Sequence, residues 1–576
     1  MAATRCRVAD VSARVLALPF VIAIALAPAP ALPAPPLRDA PVIWHDDDRR
    51  DIPEPRERDP NLLWDSIDDT AVRPFGRLMH PGRIVRRVGG LFGGDHVPPA
   101  GNLNALDESP NSTWFTNRIG LFPMSPEEVA RGPGPGAGPD RSGPWTIVRA
   151  KTEGVTPGFN IRDPKGAVHL IKFDPPGAPG MTTAAGVISN RILYAAGYDV
   201  PEDVAITFRR EDLVLGENVK LTLPDGTKHA MTMGDIDSIL AKVERSADGE
   251  WRALASRLLS GKPVGPFDYK GRRKDDPNDR VSHENRRELR GLRMFAAWIN
   301  HFDTKQHNSL DMYVEDGGWR YVKHYLIDFA STLGTGAKGP TARYGWEYTV
   351  DAPAIVGRLL ALGTHEDAWR RVRRPAGLDE VGYLESALFD PLEFKPLQPN
   401  TAFANLTDRD GYWAAKIISA FTDEHLEAIA AVAGYENPEA AKHVARVLGE
   451  RRDKIARLWF DRVPPLDFFT YSDGIQRFHD LGVERGLCPG ETSRYRFRSV
   501  FVTADRERLG FTSTSWTVTS ETATAPTVER RTAYSQSNKE YTFQAFEWQV
   551  DRGEGWSRSV TVYVAPGSGR VVAVER

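Results

Sequence analysis

Apolar and polar positions change period several times along this chain, and each change marks an element. Leu310, Met312 and Val314 alternate with polar neighbours, as one face of a strand does. Glu315-Asp316-Gly317-Gly318 supplies turn residues, and 319–327 is a second strand, rich in aromatic and β-branched residues. A polar loop, 301–308, precedes this hairpin, and Asp328-Phe329-Ala330 follows it, so the hairpin carries Asp328 back beside Asn308.

Upstream, the pattern predicts strands over 145–151, 159–162 and 167–173. A Gly-bearing stretch, Glu153-Gly154-Val155-Thr156-Pro157-Gly158, joins the first two, and Asp163-Pro164-Lys165-Gly166 turns into the third. Val187, Ile188, Ile192 and Ala195 recur at helical spacing within 182–196, with Gly197 as the C-terminal cap. A strand over 203–209 and a hairpin over 218–232, turning at Pro224-Asp225-Gly226, extend the β-rich stretch. Helices are expected over about 234–246 and 249–260, then in a segment opened by Ser282 and ending near Asn300, with Leu289, Leu292, Ala296 and Ile299 as its buried stripe. Arg286, Arg287, Arg290 and Arg293 fall on its other faces, where a solvated basic face is the plain expectation and a substrate-facing patch the sharper one. Helices dominate to about 463; Asn437-Pro438 forms an N-cap and first-turn pair. Short alternating strands then return over 495–502, 515–519, 541–550 and 559–564, a small antiparallel β-domain suited to binding or packing.

A length of 576 residues leaves room for two or three domains, and a net charge of −3 gives no indication of nucleic-acid binding. Arg5, Arg7 and Arg14 precede an apolar run over 15–27, too short to span a bilayer comfortably, and Ala29-Pro30-Ala31 offers a cleavage site. Residues 1–31 therefore read as a secretory signal, and the mature chain as exported, periplasmic or extracellular, with no membrane span. Of two cysteines Cys6 leaves with the signal, so Cys488 has no internal partner. Residues 32–143 are rich in Pro, Gly and charge; within them Ser112-Thr113-Trp114-Phe115 and Ile119-Gly120-Leu121-Phe122 are apolar enough to dock an arm onto the next domain.

The chemistry concentrates in 301–328. Asn308 and Asp328 can hold a hard cation through oxygen atoms. Asp303 can accept a proton, and Lys305 can neutralise developing charge. Lys172 shares a strand face with Val168 and Leu170, just after the turn bearing Gly154 and Gly158, whose backbone N–H groups can approach phosphates. Together these are the parts of a phosphoryl-transfer site.

His301-x-Asp303-x-Lys305-x-x-Asn308, a hairpin, and Asp328-Phe329-Ala330 resemble the catalytic core of the protein-kinase-like superfamily, and of its atypical HipA-type, spore-coat, secretory-pathway and phosphoinositide kinase branches in particular. The resemblance implies an α+β, bilobal kinase-like fold over 144–465, with a β-rich small lobe to about 232 and a helical large lobe from about 233; the arm precedes it and a β-domain, 466–576, follows. It implies ATP or another nucleotide with Mg²⁺ or Mn²⁺, and a protein or small-molecule hydroxyl as acceptor. Asp303 would orient or deprotonate that hydroxyl, Asn308 and Asp328 would bind metal, and Lys172 would grip the α/β-phosphates. Phe302 stands where the family has an arginine that reads a phosphorylated activation loop, so that control is not implied; Ala330 replaces a glycine. No Glu or Asp lies between Gly177 and Tyr198, where the family's helix carries the partner of its lysine; Glu153 or Glu202 are the candidate substitutes. A pseudokinase, binding nucleotide or a partner without transfer, is the first alternative. A metal-dependent hydrolase built on His301, Asp303, His307 and His324 is the second, since HxDxxxH can ligate zinc. AMP transfer in place of phosphoryl transfer also stays open.

Overall fold

Alternating Phe159 and Ile161, then Ile171, then Ile206, then Trp251, Ala253 and Ala255 line one face of a twisted sheet and bury it. The computed structural model describes residues 35–58, 97–150, 158–222, 227–361, 366–509, 515–519, 522–524, 543–565 and 567–576. The expected signal at 1–31, Glu153, Gly154 and the turn at 224–226 lie outside them. A short helix, α1 (Pro126–Arg131), precedes the sheet. The strands β1 (Trp145–Ala150), β2 (Gly158–Arg162), β3 (Val168–Lys172), β4 (Asp203–Phe208), β5 (Leu213–Leu215) and, later in the chain, Trp251–Arg257 make the order β4–(251–257)–β3–β2–β1–β5. Between β3 and β4 runs α2 (Met181–Ala196), whose start is fixed by a single buried carboxylate: Asp174 accepts from the backbone N–H of Gly180, Thr182 and Thr183 and from both threonine hydroxyls. Gly197 ends α2 at φ 131°, where an added Cβ would collide with the Phe115 ring.

Strands β6 (Lys220–Thr222) and β7 (Lys228–Ala230) pair with each other, and α3 (Met233–Leu240) packs Ile236 and Leu240 under the sheet. The expected helix over 249–260 is a strand, β8 (Trp251–Arg257), seated between β3 and β4. Ala and Leu give this segment helical propensity, but the open edges of β3 and β4 offer it ladder hydrogen bonds and a buried face for Trp251, Ala253 and Ala255; pairing outweighs propensity. The sheet thus extends past residue 232.

β9 (Lys262–Gly265) then pairs with the hairpin of β10 (Ser309–Asp316) and β11 (Trp319–Leu326), in register from Ser309 opposite Leu326 to Asp316 opposite Trp319. Between them α4 (Arg287–Trp298) supports the loop 301–308. Its arginines correct the expected solvated face: Arg286, Arg287 and Arg290 are fully buried, and Arg293 donates to the Leu392 carbonyl. Burial is possible because Asp279, Glu288, Asp107 and Asp410 meet them as carboxylates.

Further on come α5 (Ala352–Leu360), α6 (Thr401–Ala404), α7 (Asp408–Ile418), α8 (Asp423–Ala431) and α9 (Pro438–Arg462), the last capped by Asn437 with Pro438 at its first position. Trp298, Tyr412, Trp413, Phe421, Val444, Leu448 and Trp459 join α2 and α4 in one large core. Among the described residues of 466–576, antiparallel strands form a three-stranded sheet, and a five-stranded one whose centre, Arg494–Val502 against Phe543–Asp551, runs in unbroken register. Among the described residues, no helix is long and apolar enough to cross a membrane.

The arm packs as its apolar clusters require. Trp114 and Phe115 are buried, and Trp114 stacks on His324 at 3.5 Å between centroids. Asp48 accepts from the backbone and hydroxyl of Thr113, both at 2.8 Å, and the Tyr313 hydroxyl of β10 donates to the Ile52 carbonyl at 2.8 Å. Ile119 is buried too, whereas Phe122 stays 59% exposed.

Candidate functional site

The loop leaves α4 through Asn300, at φ 49°, and His301 N–H donates back to the Ala296 carbonyl at 2.7 Å. His301 is buried, its ring 5.9 Å from that of Phe329. Burial pushes its pKa below the usual imidazole range, against the pull of Asp303, so it packs as a neutral ring. Phe302 is buried as well, with Tyr344 at 5.0 Å. An apolar ring thus fills the position where the resemblance expects arginine.

Two residues on, the Lys305 ammonium meets both carboxylate oxygens of Asp303, at 3.1 and 3.2 Å. Asn308 locks the loop. Its side-chain Nδ2 donates to the Asp303 carbonyl at 2.7 Å, its N–H donates to the Lys305 carbonyl at 3.0 Å, and its carbonyl accepts from Ile327 N–H at 3.0 Å. The last bond stitches the loop to the end of the hairpin, one residue before Asp328. That residue sits at φ 62°, a left-handed conformation uncommon outside glycine.

From the other side of the chain comes Lys172, the last residue of β3, opposite Gly158 in register. Its ammonium meets the Asp328 carboxylate at 2.9 Å. Burial alone would lower the Lys172 pKa, but Asp328 outweighs it and the net shift is upward, so the ammonium is charged. The segment after Asp328 is anchored on α2: the Ser189 hydroxyl donates to Thr332 Oγ1 at 2.7 Å, and Thr332 donates to the Ala185 carbonyl at 3.2 Å.

Lys172, Asp303, Lys305, Asn308, Asp328 and Gly158 are therefore brought into two adjoining groups, linked through the Asn308–Ile327 bond. The donor set suits a hard divalent cation. With Nδ2 of Asn308 spent on Asp303, its Oδ1 is the atom left to accept, and the Asp328 side chain is nearly half exposed. Two protein oxygens are few, which fits a cation that completes its shell with waters and phosphate oxygens.

The histidines proposed for a hydrolase part company. His324 bonds Asp311 at 2.6 Å beneath Trp114, while His301 packs on Phe329. Among the described residues, no group of three or more His, Cys, Asp or Glu could hold a metal ion. Glu202 does not meet the lysine either: its carboxylate accepts from Gly136 N–H at 2.8 Å and faces Arg257 at 3.5 Å. Its neighbour Asp203 lies on the same face of the sheet as Lys172. It is buried on β4, and burial raises its pKa to about 6 against the charges of Lys172 and Arg191.

No family model and no curated protein matches the chain. Among solved structures it is similar to the Golgi casein kinase, at 8% identity over 56% of this chain and 75% of that one, with a TM-score of 0.29. It is also similar to the Helicobacter pylori proinflammatory kinase CtkA, at 10% identity over 55% of this chain and 98% of that one, with a TM-score of 0.26. A structure of the Golgi casein kinase with Mn/ADP bound matches 50% of this chain and 75% of that one, at 10% identity and a TM-score of 0.21. Likenesses this slight leave the side-chain geometry to carry the functional reading.

Proposed function

We propose that this chain is an exported, metal-dependent, kinase-like phosphotransferase that moves a phosphoryl group from ATP, or another nucleotide, to a hydroxyl of a protein or small molecule. The observation that carries the reading is the pairing of Lys172 with Asp328, at 2.9 Å across 156 positions, beside an Asn308 whose amide nitrogen is committed to the Asp303 carbonyl. In this reading the sheet is the small lobe, α4 to α9 the large one, and the cleft between them holds nucleotide. Lys172 grips phosphate oxygens. Gly158, opposite it, has no side chain to keep its own backbone away from them. Asn308 and Asp328 would hold Mg²⁺ or Mn²⁺, which would supply positive charge to offset the charge that develops on transfer. Asp303 orients the acceptor hydroxyl and takes its proton, and Lys305, already on both Asp303 oxygens, fixes that carboxylate and offsets the charge of the incoming phosphoryl.

A pseudokinase is the second reading, favoured by the absence of any acid on α2 to hold Lys172. One experiment separates the two. A ligand that binds only the folded state stabilises it by about 2.7 kcal/mol at a hundredfold excess over Kd. ATP with Mg²⁺ or Mn²⁺ should therefore raise the melting temperature, ATP alone should raise it less, and Asp328→Ala should lose the metal-dependent part. Label transfer from γ-labelled ATP to any acceptor, the chain itself included, then marks a kinase. A metal-dependent shift without transfer marks the pseudokinase, and no shift with any nucleotide and metal removes both.

A further inference from the structure

We propose that Asp203 is the positioning residue for Lys172 in the nucleotide-bound state, doing from the sheet what a helix acid does elsewhere in the resembling family. The inference rests on the phosphotransferase reading and names a residue that reading does not use.

The sheet register sets up the relation. Lys172 pairs with Leu254 and Leu254 with Ala205, while Asp203 pairs with Ser256. Paired residues share a face and a face repeats every second residue, so Lys172, Leu254, Ser256 and Asp203 all point to one side. That side is covered by α2, since Leu254 lies against Gly186. Asp203 is buried; the Ser256 side chain opposite it hydrogen-bonds its carboxylate, and its Oδ1 has no hydrogen-bond partner. A buried, ionisable oxygen left unserved is costly, and such sites cluster where function needs them. The other nearby cation acts on it by charge but has most of its donors committed elsewhere. Arg191 of α2 spends Nε on the Ala130 carbonyl at 2.8 Å and Nη1 on Asn190 at 2.7 Å. Lys172 and Asp203 do feel each other's charge, and Asp328 adds to the negative field at Asp203.

What makes the pairing matter is the competition for Asp328. Lys172 is tied to Asp328 in this structure. Asp328 would lose that role on binding a cation, and Lys172 would then be held by phosphate oxygens and by whatever carboxylate remains in reach. Asp203 is fixed on β4, the edge strand paired along its length with β8, and still has an oxygen to offer, so it is the carboxylate left to hold the lysine's charge and direction. The absence of an acid on α2 then ceases to be a defect.

The test is a double-mutant cycle on Mg²⁺-nucleotide affinity, read by titration calorimetry alongside the nucleotide-free melting temperature. Asp203→Asn should weaken affinity roughly tenfold to a hundredfold, the usual cost of removing the group that orients a ligand-holding residue. It should leave the nucleotide-free melting temperature unchanged or higher, which a merely structural carboxylate would not. The variant carrying both Lys172→Ala and Asp203→Asn should bind no more weakly than Lys172→Ala alone, because Asp203 acts through the lysine. Unchanged affinity in Asp203→Asn, a lowered nucleotide-free melting temperature, or losses that simply add in the double variant would overturn the inference while leaving the phosphotransferase reading intact. A wild-type chain that binds no nucleotide with any divalent cation overturns that reading, and this inference with it.

Discussion

Two clusters of charge lie toward the two ends of α4, and they are built on opposite rules. In the rear cluster, at the start of the helix, Arg287 meets Asp410 at 3.1 Å and Asp107 at 2.8 Å, and Arg409 adds a second cation on Asp107 at 2.6 Å. Lys416 bridges Glu108 and Asp467, Arg576 completes Asp467 at 3.0 Å, and Tyr412 donates to it at 2.9 Å. These residues tie arm, helices and C-terminal strands together, and every member faces an opposite charge. In the front cluster, past the end of the helix, Lys172 meets Asp328, Asp203 keeps one oxygen without a hydrogen-bond partner and Asp328 is half in solvent. A buried charge kept for structure is matched at once, because an unmatched one costs several kcal/mol. A charge left short is held in reserve for something that arrives later.

The comparison fails first, and by the largest margin, if the front cluster behaves like the rear one. Asp303→Asn is nearly isosteric and keeps the backbone carbonyl that Asn308 binds. It should lower turnover by roughly 10²–10⁴ while nucleotide affinity stays within a few-fold and the fold is kept. Steady-state transfer rates together with calorimetric affinity check this. Unchanged turnover would remove Asp303 from the chemistry.

Next in size is the converse break. Asp410→Ala leaves Arg287 and Arg290 buried against each other with one carboxylate fewer. It should cost about 3–5 kcal/mol, the usual penalty for removing one partner of a buried pair. Urea unfolding followed by tryptophan fluorescence would show it, with a lowered midpoint. A loss under about 1 kcal/mol, the range of surface pairs, would mean that the rear network is no more structural than the front one.

How much of this was legible beforehand follows from the same contrast. The loop 301–308 and Asp328 could be read because their spacing is short and the hairpin between them alternates plainly. Lys172 could be read because a strand just before α2 must aim its alternate residues at the helix. Asp203 could not: its tie to Lys172 runs through β8, and Trp251–Arg257 looked helical. The buried arginines of α4 were missed because arginine is almost never fully buried unless paired, and their partners Asp107 and Asp410 lie far off in sequence. Local pattern reveals elements and linear motifs. It does not reveal which distant carboxylate a cation will find.

The smallest effect gives the sharpest comparison, because the two clusters should answer pH with opposite signs. Burial raises the folded pKa of Asp203 to about 6 from 3.8. Between those values the folded chain binds more protons at this site than the unfolded chain does, so this carboxyl makes stability fall as pH rises from about 4 to about 6, by at most about 3 kcal/mol. In Asp467, burial is outweighed by Arg576 and Lys416, and the folded pKa falls to about 2. Its contribution is present above the unfolded value of 3.8 and disappears only as pH drops toward 2. Unfolding free energies of wild type, Asp203→Asn and Asp467→Asn, measured without nucleotide or metal at half-unit steps from pH 4 to 7, should separate the two. Relative to wild type, Asp203→Asn should become progressively more stable up to about pH 6 and then level off. Asp467→Asn should be less stable throughout, by an amount that barely changes once pH is above about 5. A flat Asp203 difference would mean that its carboxyl is matched as fully as those of the rear cluster, and the distinction between charges kept for the fold and charges held in reserve would then be lost.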